Sequence, residues 1–342
     1  MENIPHRRRP RYSGKYPRHF AEKYKEHNPA RYAETIAKVQ ASGRTAAGTH
    51  RPVMLEETLD ILAPRAGEIV VDCTVGFGGH AREILSRIQP GGLLIGLDAD
   101  PIELPKTTER LRAAGFGETA FQAIRSNFAG LPKVLASLNI EAVDAVFADL
   151  GVSSMQLDNP ERGFSFKFEG PLDMRMNPQR EKSASELIEK ISPTTLAALL
   201  AENADEPHAS LLATALAGSR FETTTALRQA IRDALPRLTK EEQENSTRRV
   251  FQALRIAVND EFAALDALLR ALPDVLKAGG RAVILSFHSG EDRRVKKSFE
   301  SGLRAGLYCD IARQLVRPTA LERNANPRSA PAKLRWAVRA ER

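Results

Sequence analysis

The stretch Ile69-Val70-Val71-Asp72-Cys73-Thr74-Val75-Gly76-Phe77-Gly78-Gly79-His80 decides the fold. Its first five residues form an apolar run suited to a buried strand, and a helical pattern over 79–88 follows at once. Gly76 and Gly78 allow the left-handed backbone of a tight turn and let a ligand approach the main chain. The helix behind them begins with unpaired N–H groups that suit an anionic group. Gly76, Gly78 and Ala81 also satisfy the looser G-x-G-x-x-A spacing of dinucleotide loops. On the glycines alone the match is weak, and a plain strand-to-helix turn is the competing reading.

Reading outward, further strands are expected at Leu93–Leu97, Thr119–Ile124, Val143–Leu150, Arg281–Phe287 and Lys333–Arg339. Helices are expected at 79–88, 101–114 and 127–138, with a short one carrying Val53, Leu55, Leu59 and Leu62. Such alternation predicts an α/β fold: a mostly parallel sheet covered by helices. It breaks between about 152 and 245, where helical segments at 183–202, 207–218 and 224–235 predict an inserted, mainly helical region. One long amphipathic helix is expected next, with Phe251, Leu254, Val258, Phe262, Leu265, Leu269 and Leu272 on one face. The domains read as 49–152 with 246–342 for the α/β body, and 153–245 for the insert.

Asp98 ends the second strand, 20 residues after Gly78. An acid there can bind ribose hydroxyls, for a nicotinamide dinucleotide or an adenosyl donor alike. Asp72, four residues before the first glycine, favours the adenosyl donor. Asp149 ends the fourth strand, where ligands of open α/β sheets bind. If the acceptor is an exocyclic amine, Asp149 is a candidate to hold its N–H; contact with the cofactor is the other reading. Phe164, Phe166 and Phe168 alternate like one face of a hairpin. They suit either core packing or a base-stacking platform beside Arg162 and Lys167.

The 342 residues are 42% hydrophobic and 27% charged, a globular composition with a net charge of +7. That charge is local. Residues 1–51 carry twelve Lys and Arg against four Glu, so the remaining chain is close to neutral. Residues 1–48 read as a basic arm. The two cysteines suit a reducing compartment and have no metal-ligand spacing, and no run is long enough for a membrane span. A cytoplasmic protein is expected, with no metal-ligating residues identified and any metal requirement left open.

Seven blocks in order carry a resemblance: DCTVGFGGH (72–80), DLGVSSMQLD (149–158), RGFSF (162–166), GPLDMRM (170–176), TRRVFQALRIAVN (247–259), SFHSGED (286–292) and NPRSAPAKLR (326–335). From His50 to about Arg339 the chain resembles the RsmH (MraW) family, the bacterial 16S ribosomal RNA cytosine-N4 methyltransferases. The resemblance implies a Rossmann-like class I fold with a helical insert, and S-adenosylmethionine as cofactor. It implies a decoding-centre cytidine of the small (30S) subunit as substrate. It places Gly78, Gly79, His80, Asp98, Phe128, Asp149 and Gln156 at the cofactor. The proton acceptor stays open between Asp149 and, if Asp149 binds the cofactor, a backbone carbonyl or Asp173. Arg162, Phe164, Phe166, Arg175 and Arg249 are candidates for RNA contact, and Arg293, Arg294, Lys296 and Lys297 suit either phosphate contact or a solvated helix face. The arm is not a usual feature of the family. The oligomeric state is open, a homodimer included.

Three other functions compete. A nicotinamide-dependent oxidoreductase would use the same glycine loop. A hydrolase would need Ser286 or Ser289 with His288, yet no G-x-S-x-G elbow is present. A non-catalytic RNA-binding factor would have no need of intact cofactor blocks.

Overall fold

A computed structural model describes residues 52–179 and 182–341, so the arm at 1–48 lies outside the described residues. In chain order the elements are α1 (Leu55–Leu62), β1 (Ile69–Asp72), α2 (Gly79–Ile88), β2 (Leu93–Asp98), α3 (Glu103–Ala113), β3 (Phe121–Arg125), α4 (Leu131–Ser137) and β4 (Val143–Asp149). The insert follows with α5 (Ser154–Asp158), α6 (Ala184–Lys190), α7 (Pro193–Ala204), α8 (Ala209–Leu216), α9 (Thr224–Ala234) and α10 (Lys240–Asn259). Then come α11 (Glu261–Val275), β5 (Leu276–Ser286), α12 (Ser289–Arg304), β6 (Tyr308–Ile311), α13 (Ala320–Ala325) and β7 (Lys333–Arg339).

The strands form one seven-stranded sheet in the order β3-β2-β1-β4-β5-β7-β6. The first five run parallel, and β7 is antiparallel to both β5 and β6. Because strand side chains alternate, Val71, Val146 and Ala148 face one layer, with Leu131, Leu268, Leu272 and Phe299. Val70, Ala145 and Phe147 face the other, with Leu62, Ile84, Leu85 and Leu111. The sheet is therefore buried on both faces, which explains its near-continuous apolar strands.

A separate apolar core holds the insert together, from Phe164 and Leu172 through Leu200, Leu212 and Ile231 to Val258. It draws on α10 well past residue 245, so the helix continues the insert beyond the expected boundary.

The expected single helix over 251–272 is two. Asp260 takes a left-handed conformation (φ 51°, ψ 38°) and separates α10 from α11. Apolar periodicity survives the break, because both helices bury a face, although in different cores. Two further differences concern the sheet. β6 escaped the sequence reading because Tyr-Cys-Asp-Ile is short and half-exposed. Phe164, Phe166 and Phe168 form no hairpin: a 3-10 turn (Pro160–Arg162) and irregular chain occupy the stretch.

Candidate active site

The carboxyl ends of β1, β2 and β4 converge on the glycine loop. Asp98 fixes the loop with both oxygens: Oδ2 accepts from Gly76 N at 2.9 Å and Oδ1 from Asp100 N at 2.8 Å. Thr74 ties the loop to β4, its hydroxyl accepting from Asp149 N at 2.6 Å. Gly76 and Gly78 have φ of 47° and 87°, the conformation glycine tolerates best. A Cβ on Gly78 would sit 2.9 Å from Thr107 Cγ2, and one on Gly79 2.6 Å from Pro52 Cγ. Both glycines are thus required by close packing around the turn.

His80 lies over Phe147 with ring centroids 4.6 Å apart. Its Nε2 is 3.1 Å from the Val53 carbonyl, so Nε2 carries the proton and donates it. Burial lowers the pKa of the ring to about 4, and it stays neutral. The bare Nδ1 faces Asp149 Oδ2 at 3.8 Å.

Carboxylates dominate this end of the sheet. Burial lifts Asp72 to about 7, with Asp98 adding repulsion. Burial also raises Asp149 to about 8, assisted by the charges of Asp72 and Glu291. Asp98 rises to about 6, mainly through burial. No Lys or Arg among the described residues pairs with any of the three, and Asp149 Oδ1 is buried without a hydrogen-bond partner. Acid groups left without a paired cation suit a cationic ligand, and a sulfonium compound with an amino-acid end and a ribose meets that chemistry.

Other expected site residues are placed differently. Phe128 opens a short 3-10 turn after β3 and packs against the sheet core. Gln156 is buried, and its amide is committed: Oε1 accepts from Ser153 N at 3.0 Å and Nε2 donates to Asp100 Oδ2 at 2.8 Å. Phe164 and Phe166 are only 6% and 7% exposed, inside the insert core, so neither offers a face for stacking. The outlier is Phe168, at 38%. Arg162 is likewise turned inward, paired with Asp100 at 2.8 Å.

Asp173 pairs side-on with Arg175, at 2.8 and 2.7 Å. Burial works to raise its pKa, but those bonds outweigh it and hold the carboxyl below its usual range. Arg249 is partly exposed, 3.9 Å from the buried Glu206. The α12 cluster lies on an exposed helix face: Arg293 forks onto Asp205, Arg294 lies near Asp266 and over Phe262, and Lys296 reaches Glu300.

Sheet order removes two competing readings. Dinucleotide-binding Rossmann domains end in parallel order 3-2-1-4-5-6, whereas here an antiparallel β7 enters between β5 and β6. For a hydrolase, Ser289 donates to Asp205 and Ser286 to the Lys333 carbonyl, leaving neither hydroxyl on His288. The described residues contain no group able to hold a metal ion and no helix long and apolar enough to cross a membrane. A glycine loop braced by the acid that ends the second strand, on a sheet closed by an inserted antiparallel strand, defines a class I S-adenosylmethionine-dependent methyltransferase.

The chain belongs to the MraW methylase family, whose profile matches residues 47–340. It is 46% identical over 344 residues to ribosomal RNA small subunit methyltransferase H 1 of Lachnoclostridium phytofermentans, covering 98% of this chain and 93% of the relative. It is 48% identical over 342 residues to methyltransferase H 2 of Alkaliphilus metalliredigens, with 97% of each chain covered. The methyltransferase H of Halothermothrix orenii is 40% identical over 309 residues, covering 85% of this chain and 98% of its own. The first two matches span nearly the whole chain and so take in most of residues 1–48. The arm region is thus aligned in these two relatives.

Proposed function

We propose that this methyltransferase modifies the N4 exocyclic amine of a decoding-centre cytidine in 16S ribosomal RNA, acting on the small (30S) subunit. One observation carries the reading: Asp149 ends β4 with its side chain 28% exposed, and no Lys or Arg among the described residues pairs with it. Bound S-adenosylmethionine supplies an electrophilic methyl group. A cationic ligand beside Asp72 and Asp149 lowers both pKa values and leaves carboxylates. Asp149 then accepts the amine N–H, aligns the nitrogen lone pair with the methyl carbon, and takes the proton released when the N–C bond forms. Asp173, saturated by Arg175, serves instead to hold that arginine.

The family relatives named as small-subunit RNA methyltransferases support the substrate class. A cytosine in a duplex cannot reach a crevice at the strand ends, so the target must be unpaired or flipped. Phe168, Lys167, Arg248 and Arg249 offer exposed or partly exposed contacts. The basic arm adds a sequence-independent attraction to phosphate. Mass mapping of small-subunit RNA from cells lacking the gene tests the assignment. The N4 methyl group should vanish and return on complementation; its persistence would overturn the reading.

A further inference from the structure

Asp100 is a second acid, two residues beyond Asp98, and it is 1% exposed. A carboxylate so deep needs full compensation. Its Oδ1 accepts from Ile102 N at 2.9 Å. Its Oδ2 takes Gln156 Nε2 and Arg162 Nη1, both at 2.8 Å. Its own amide donates to Asp98. The buried acid is thus one step from the ribose-side carboxylate on one side, and bonded to the insert on the other.

Arg162 carries the connection onward. Its Nη2 donates to the carbonyls of Arg175 and Met176 at 3.1 and 2.8 Å. Its own carbonyl accepts from Met174 N at 3.1 Å. Asn259 grips the same loop from α10, accepting from Met176 N and donating to the Met174 carbonyl, each at 2.8 Å. Met174 is held in a left-handed conformation (φ 63°), which a free loop would not keep. Gly163 permits the approach, since a Cβ there would collide with the Pro171 carbonyl.

We propose that the Asp100–Arg162 pair is a positioning element: it sets the Asp173–Met176 loop against the ribose side of the cofactor pocket, so that acceptor and cofactor register with one another. The inference rests on the proposed reading, with Asp98 toward the ribose, and adds that the 173–176 loop lies on the acceptor side of the crevice. Arginine is required because one planar fork holds the carboxylate and two carbonyls together, which a lysine cannot do. No bond to substrate is involved. The pair acts through the loop.

The test uses the full chain, with small subunits lacking the modification as substrate. The neutral pair Asp100→Asn/Arg162→Gln avoids stranding a buried charge, and Arg162→Lys keeps the charge while losing the fork. Three quantities are read: kcat, the dissociation constant of S-adenosylhomocysteine, and the factor by which S-adenosylhomocysteine tightens subunit binding. We expect kcat to fall about tenfold or more in both variants, as for a misplaced reacting group, with cofactor affinity held within about threefold. The tightening factor should exceed one in the wild type and collapse toward one in the variants. A folded variant with wild-type kcat and an intact tightening factor would overturn the proposal. If the neutral pair fails to fold, Arg162→Lys decides by the same criteria. Absence of N4-methylcytidine from the wild-type product would sink the functional reading instead, while the binding factor still judges the coupling.

Discussion

The two sides of the crevice handle charge in opposite ways. On the cofactor side, no Lys or Arg among the described residues pairs with Asp72, Asp98 or Asp149, and burial lifts all three above the usual carboxylate range. On the acceptor side, charges are matched within the chain: Arg162 with Asp100, Arg175 with Asp173, and Arg255 with Glu261 at 2.8 and 2.9 Å. The first arrangement stores an unmet demand for positive charge, which a cationic ligand relieves. The second is complete before anything binds, and so gives a rigid frame. A side chain already neutralised by its neighbour is a weaker phosphate ligand.

The largest effect should come from removing the unmet acid. Asp149→Asn preserves shape but loses the proton acceptor, and single-turnover methylation should fall about 100-fold or more. Arg175→Gln, on the matched side, should cost less in the same assay. A larger loss for Arg175→Gln would break the contrast.

Next in size is stability across the insert. Leu200 is fully buried in the insert core, and Leu200→Ala should cost about 2–5 kcal/mol in denaturant titration. Turnover on subunits should drop while cofactor affinity holds, because the cofactor side rests on the sheet. Loss of cofactor binding in the folded variant would show that the two sides are not separable.

The pH dependence sharpens the same contrast. Asp72 and Asp149 hold protons in the folded protein up to about 7 and 8, but release them near 3.8 when unfolded. Between those limits the folded state binds more protons, so they make stability fall as pH rises. His80, pushed down to about 4, opposes them only below its unfolded value of 6.5. From pH 6.5 to 8 the carboxylates stand alone, and ligand-free stability should decline. Cofactor affinity should climb over the same window, by up to about tenfold per pH unit for each proton released. Calorimetry in buffers of different ionisation enthalpy reads that release directly. Asp149→Asn should flatten the climb, and an unchanged slope would refute the assignment to Asp149.

The smallest effects belong to the surface. Phe168→Ala should alter stability by under about 0.5 kcal/mol yet weaken subunit binding severalfold. Deleting residues 1–48 should lower affinity for the subunit and reduce its dependence on salt, leaving cofactor affinity alone. A full salt slope after deletion would limit the arm to a solvated appendage.

The sheet was legible because each parallel strand is buried on both faces and announces itself as an apolar run. The glycine loop, Asp98 and Asp149 were legible from their places at strand ends. Asp260 was not: an acid at a polar position gives no sign of a left-handed residue. Nor was Asp100, because its partner Arg162 lies 62 positions away in the chain, and sequence spacing says nothing of a pairing made by the fold. For Phe164 and Phe166, alternation was real but reported the insert's own core rather than a stacking face. Gln156 entered only through the resemblance, and its hydrogen bond to Asp100 depends on a pairing that sequence spacing does not show.

The short lead-in to α1 has a practical side. Pro52 presses on Gly79, Val53 fixes the tautomer of His80, and the amide of Met54 donates to Glu322 at 2.7 Å. These three residues belong to the pocket wall although they adjoin the arm in sequence. A protease or gene truncation that stops at residue 48 trims an accessory. One that continues through Met54 uncaps the imidazole, and would mimic a cofactor-binding defect in a protein whose glycine loop is unaltered.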